Sequence, residues 1–212
     1  MKDFLWGSSK EVDSAEALSI HDSISEPRAH ATTDFNVVES IHNRIYYYSA
    51  VSRPKILKLN KQIFNLNIIM SSKAGPLEYQ PPPIKLHINS YGGSVFAGLA
   101  ALDYIKNSKI PVHTIIDGCA ASAATLMSCV GAHRQIHRNS CMLVHQLSGA
   151  MWGKFQEMED DFENSKMLMD KIKKIYNQHT KIPKKEMDKL LKHDLWWEAD
   201  KCMQYGLVDE II

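Results

Sequence analysis

Between residues 84 and 144 the chain keeps returning to one pattern, a short apolar run followed by a helical stretch and then another short apolar run. IKLHI (84 to 88) and VHTII (112 to 116) are too short for stable helices. In the first, Ile84, Leu86 and Ile88 fall on one face and Lys85 and His87 on the other, which is strand periodicity. Each run leads through glycine into a helical stretch, Ser94 to Asn107 and then CAASAATLMSCVGA (119 to 132), and RQIH and CMLV follow as strands. Upstream, IYYY (45 to 48) reads as a strand and residues 55 to 70 as a helix, while PLEYQPPP (76 to 83) is a loop because its prolines remove backbone donors. Such alternation of strands and helices calls for a layered α/β fold.

Two regions stand apart. From Phe155 to His179 the side chains Phe155, Met158, Phe162, Met169, Ile172 and Tyr176 recur at spacings of three, four and seven, the mark of one long amphipathic helix. Its acids come early (Glu157, Glu159, Asp160, Asp161) and its bases late (Lys171, Lys173, Lys174), which suits the helix dipole. Its apolar stripe requires a groove or a partner. Residues 1 to 40 carry three basic against eight acidic side chains with little apolar periodicity, and read as a poorly ordered or processed arm preceding a domain over 41 to 212.

Composition narrows the function classes. With a net charge of +1 there is no general attraction to nucleic acid or to an anionic membrane. No apolar run approaches the ~18 residues of a membrane span, and MKDFLWGSSKEVDS lacks the apolar core of a signal peptide. Cys119, Cys129, Cys141 and Cys202 form no CxxC pair and lie in apolar surroundings, as reduced thiols of a cytoplasmic protein do. No histidine has zinc-ligand spacing to them, so no metal is expected.

Three strand-to-helix junctions could carry chemistry, and each also has a plain structural reading. INSYGGSVFAG (88 to 98) puts two glycines where backbone amides can face a ligand, or where the chain simply turns tightly. In DGCAASAATL (117 to 126), Ser122 is surrounded by alanines. Small residues allow close helix packing, and they equally allow a substrate backbone to approach a hydroxyl in a first helical turn, where an amide such as that of Ala123 has no partner within the helix. CMLVHQ ends a strand on His145, a structural histidine or a general base.

Taken together and in order, NSYGGSVFAG, GCAASAA, MLVHQ and HDLWWEADKCMQYGLVDEI resemble the Clp proteolytic subunits, serine peptidases of the crotonase-like superfold. The resemblance covers about residues 84 to 212 and is looser over 41 to 83. It implies a spiral head of β-β-α units with the long helix protruding as a handle. It places the nucleophile on Ser122, the general base on His145 and the orienting acid on Asp194. Gly93 and Ala123 become the oxyanion amides, with a substrate strand pairing along Gly92, Gly93, Ser94 and Val95. The order Ser, His, Asp and the absence of GxSxG exclude the α/β-hydrolase, chymotrypsin and subtilisin types.

The same resemblance implies polypeptide substrates, a homo-oligomer of two stacked heptameric rings enclosing a chamber, no cofactor in the chain itself, and a Clp-type AAA+ unfoldase as the ATP-using partner. Some positions depart from the family. Tyr91 and Leu147 stand where it has proline, and the outer-face positions of its apolar unfoldase cleft hold Lys85, His87 and Asn107, although Ile212 is apolar. These departures describe a divergent member of phage or accessory type. Its rival readings are a prohead-type maturation protease acting without an ATPase, a non-catalytic ring subunit, an acyl-CoA-binding crotonase relative, and a non-enzymatic scaffold.

Overall fold

The computed structural model describes residues 5–6, 37–74 and 80–212. Most of the arm therefore lies outside the described residues, as does much of the loop read at 76 to 83. Strand β2 (Val37–Ile41) pairs antiparallel with β3 (Arg44–Tyr48), so the last residues of the stretch read as an arm take part in the sheet. From β3 the sheet grows in parallel through β4 (Ile84–Ser90), β6 (Val112–Ala121) and β7 (His133–Ile136) to β10 (Glu210–Ile211). Helices α1 (Arg53–Ala74) and α2 (Val95–Lys106) make the crossovers that parallel strands need.

Strand β6 is longer than VHTII suggests, and the excess decides the shape of the site. Its pairing with β4 shifts register between Ile88 and Ser90, and Gly118 takes φ +80° at the irregularity. Such bulges bend a strand. The first half of β6 pairs with β7, from His113↔His133 to Ile116↔Ile136. Its second half pairs instead with β8 (Cys141–Leu143), from Cys119↔Cys141 to Ala121↔Leu143, and β8 pairs antiparallel with β9 (Trp196–Glu198). The helix read at 119 to 132 is accordingly shorter: α3 spans Ala123–Ser128.

The core lies between the sheet and the helices. Ile84, Leu86 and Ile88 of β4 are fully buried, as are Leu59 and Ile63 of α1. Gly98 of α2 faces α3 so closely that a Cβ there would lie 3.2 Å from both the Cβ and the carbonyl oxygen of Ala123. The alanines around Ser122 thus serve close helix packing.

Helix α4 (Phe155–His179) starts with the Glu157 carboxylate accepting from the Lys154 N–H at 3.1 Å. Near its other end Leu168, Ile172 and Tyr176 are buried in the subunit, whereas Phe155, Met158, Phe162 and Met167 stay exposed. Arg134 of β7 clamps this end: its guanidinium donates to the His179 carbonyl at 2.5 Å and the Gly206 carbonyl at 2.7 Å, and forks onto Asp209. A cation at the carbonyl end of a helix also suits the dipole. Helices α5 (Lys184–Leu191) and α6 (Ala199–Gln204) then carry the chain to β9 and β10.

Candidate active site

Ser122 sits between β6 and α3 with φ 58° and ψ −128°, a conformation that costs a non-glycine residue about 1–3 kcal/mol. Two ties hold it there. Its N–H donates to the Leu143 carbonyl at 2.9 Å, and its own carbonyl accepts from the Thr125 N–H at 3.0 Å and the Thr125 hydroxyl at 2.6 Å. It is the single turn residue between the end of β6 at Ala121 and the start of α3 at Ala123, not a residue inside a first helical turn. Nor do small neighbours leave its hydroxyl uncovered, since Ser122 is only 1% exposed. They let other backbone come up against it.

That backbone belongs to Gly92, whose φ is +95°. A Cβ on Gly92 would lie 2.5 Å from the Cβ of Ser122, 2.7 Å from the Ala121 carbonyl oxygen and 3.1 Å from the Ala123 nitrogen. Gly93 approaches Val51 equally closely, and here too only glycine fits: a Cβ would collide with the Val51 carbonyl oxygen. Of the four residues expected to form a pairing strand, Gly93 and Ser94 make strand β5, Gly92 lies in the turn before it, and Val95 opens α2. The Ser94 N–H donates to Val51, so Gly93, next along the strand, presents its own backbone groups to the opposite edge. On that edge lies a two-residue strand of the chain itself, β1 (Leu5–Trp6), antiparallel with Trp6 opposite Gly93.

Strand order carries the segments that bear Ser122, His145 and Asp194 to one end of the sheet. Ala121 pairs with Leu143 and Leu143 with Trp196, so residues just beyond these pairs converge at one end of β6, β8 and β9. The Gln146 N–H also donates to the Leu191 carbonyl at 2.7 Å, tying the segment after His145 to the end of α5. Nδ1 of the buried His145 lies 3.1 Å from Oδ1 of Asp194, whose side chain is 63% exposed. A carboxylate can only accept, so Nδ1 carries the proton and Nε2 is the basic nitrogen of the neutral ring.

Burial pushes the imidazole pKa of His145 below its ordinary 6.5, and Asp194 opposes this only in part. The ring is therefore neutral at pH 7. NMR titration of the ring nitrogens should give a midpoint below 6.5, lowered further by Asp194→Asn, which removes the opposing charge; a midpoint above 6.5 would contradict the assignment. Because the unfolded chain protonates first on acidification, the contribution of His145 to stability is complete above 6.5 and is lost as the pH falls through its folded pKa.

A family model for Clp protease matches residues 43–212. The chain belongs to the Clp protease family. The ATP-dependent Clp protease proteolytic subunit of Deinococcus radiodurans is 31% identical over 131 residues, which cover 61% of this chain and 64% of the relative, so the chain spans under two thirds of that protein's length. Among solved structures, a ClpP1 mutant from Listeria monocytogenes superposes with a TM-score of 0.70 at 24% identity, over 81% of this chain and 91% of the other. The fold is that of the Clp proteases.

Within this Clp protease fold the cysteines are poor rivals to Ser122. Burial raises the thiol pKa of Cys119 and Cys141, and pushes Cys129 and Cys202 up to about 12. Among the described residues no cluster of three or more His, Cys, Asp or Glu could hold a metal ion, and no helix is long and apolar enough to cross a membrane. His87 of β4 is not a plain exposed position. Its Nδ1 lies 2.8 Å from Asp117, its Nε2 is 2.9 Å from Arg44, and Tyr46 stacks on it at 4.7 Å, while His137 and Tyr48 also bind Asp117. Lys85 stands beside this polar network in β4. Two features near Ser122 escape sequence reading: the edge-on packing of Tyr91 against Trp196 at 6.2 Å, and the Thr125–Tyr176 hydrogen bond at 2.5 Å. No spacing rule pairs residues so far apart in the chain.

Proposed function

We propose that this chain is a serine endopeptidase with Ser122 as nucleophile, His145 as general base and Asp194 as the carboxylate that orients it. The observation that carries the reading is the Nδ1 bond from His145 to Asp194, together with a strained serine at the end of the adjoining strand β6. Nε2 takes the Ser122 proton as Oγ attacks a peptide carbonyl, and Asp194 stabilises the imidazolium that forms. The proton then passes to the leaving amine, and water repeats the sequence on the acyl-enzyme. The Gly93 and Ala123 amides receive the oxyanion charge. None of these steps draws on a cofactor.

Substrate binds as an extended strand along Gly93 and Ser94, by main-chain hydrogen bonds that select weakly among side chains. The antiparallel seat of Leu5–Trp6 on that edge supports this mode, and an incoming peptide would take its place. Assembly into two stacked heptameric rings would cover the exposed apolar residues of the α4 N-terminal part; Ile172 already faces its own subunit's core and is not available for that contact. A Clp-type AAA+ unfoldase would supply unfolded chains at the expense of ATP, in keeping with the ATP dependence named for the Deinococcus relative. The polar network around His87 makes docking there more polar than an apolar cleft would. The reduced cysteines agree with a cytoplasmic setting.

A fluorophosphonate probe tests the chemistry, since it needs an activated serine. We expect peptide mapping to find it on Ser122 alone, with labelling lost in His145→Ala. Attachment at another residue would overturn the nucleophile assignment.

A further inference from the structure

We propose that Thr125 and Tyr176 are positioning residues for the oxyanion amide of Ala123, acting through the Ser122 carbonyl; this rests on the serine-peptidase reading above. The Thr125 hydroxyl has one proton and two close partners, the Ser122 carbonyl oxygen at 2.6 Å and the Tyr176 phenol oxygen at 2.5 Å. A carbonyl accepts and never donates, so the threonine proton points to Ser122 and the tyrosine must donate to Thr125. The chain of bonds therefore has a fixed direction, from the Tyr176 O–H to Thr125 Oγ1 and from the Thr125 O–H to the Ser122 carbonyl. Both side chains are fully buried, so water does not compete for these positions.

The consequence follows from peptide geometry. The Ser122 carbonyl and the Ala123 N–H belong to one planar trans peptide unit and point in opposite directions. Fixing the oxygen with donors from the Thr125 N–H and hydroxyl therefore fixes the direction of the Ala123 N–H, away from those donors. Donation to the carbonyl also polarises the peptide and strengthens its N–H as a donor. Back-bonding by a helical threonine to a carbonyl three residues earlier is common. The distinguishing feature is the second donor, which arrives from a different helix, α4, and holds the threonine rotamer.

Two isosteric changes isolate the hydroxyls. Thr125→Val is expected to lower kcat on a short fluorogenic peptide by about 10–100-fold, with KM within about twofold, and to weaken a peptide boronate by a similar factor, because the loss falls on the oxyanion. Thr125→Ser, which keeps the hydroxyl, should retain most of the activity, and Tyr176→Phe should lose about three- to tenfold in kcat. The acid limb of the pH profile should not move in any variant, since His145 and Asp194 are untouched. If Thr125→Val keeps its kcat within twofold of wild type, or if Thr125→Ser loses as much as Thr125→Val, the proposal is overturned. Should Thr125→Val fail to fold, Tyr176→Phe decides alone: an unchanged kcat overturns it. Ser122→Ala is measured in parallel. Full activity of that variant sinks the peptidase reading itself, whereas an inactive Ser122→Ala beside an unimpaired Thr125→Val sinks only this inference.

Discussion

His145→Ala is expected to lower kcat on a short fluorogenic peptide by about 10⁶-fold, the scale on which removing one member of a concerted serine–histidine pair acts. The reason is local. Burial keeps the imidazole neutral at pH 7, its Nδ1 proton is committed to Asp194, and strand order brings the segment carrying His145 to the same end of the sheet as Ser122. Without the ring, no other described base is tied to the end of β8. Asp194→Asn should be milder, about 10³-fold, because this side chain is largely exposed and solvent compensates part of the lost charge. Its main effect is on the tautomer, since an amide can donate to Nδ1 and turn the proton toward Nε2. Steady-state kinetics with both variants checks this order. Equal activity of His145→Ala and wild type would remove the imidazole from the mechanism.

Gly92→Ala is expected to abolish turnover to within about 1% of wild type and to destabilise the fold by about 2–4 kcal/mol. Two independent costs combine. The backbone there has φ +95°, which L side chains rarely adopt, and the new methyl group would meet the Cβ of Ser122 at 2.5 Å and the Ala121 carbonyl oxygen at 2.7 Å. No flexible side-chain tip is involved, so the backbone of either the glycine turn or the Ser122 elbow has to move. A shift of about 1 Å at a nucleophile is enough for a 10²-fold loss. Peptide turnover and a thermal melt together test the claim. A variant with wild-type kcat would show that the two backbones can part without harm, and that Gly92 is not what sets the position of Ser122.

Much of the architecture is legible without coordinates because it follows from short-range patterns. Alternating apolar residues in IKLHI are enough to read a strand, and β4 runs Ile84–Ser90 with Ile84, Leu86 and Ile88 buried. The three, four and seven spacing is enough to read a helix, and α4 spans Phe155–His179. The same patterns mislead where tertiary contacts override them. CAASAATLMSCVGA has the composition of a helix, yet its first residues belong to β6 because Cys119, Ala120 and Ala121 find partners in β8. His87 falls on the side of β4 opposite the apolar set, yet it is buried under Tyr46 and bonded to Asp117 and Arg44.

By itself the sequence determined which residue types occur at which spacings, and so the element types, the motif order and the identity of the hydroxyl, imidazole and carboxylate to be considered. Only the tertiary structure decided that Ser122 is a strained, buried elbow, that His145 reaches Asp194 through β8 and β9, that Ile172 faces inward, and that Thr125 meets Tyr176. The physical reason is one of range. Periodicity reports the faces of a single element, whereas strand pairing and helix packing set the distances between residues that lie far apart along the chain.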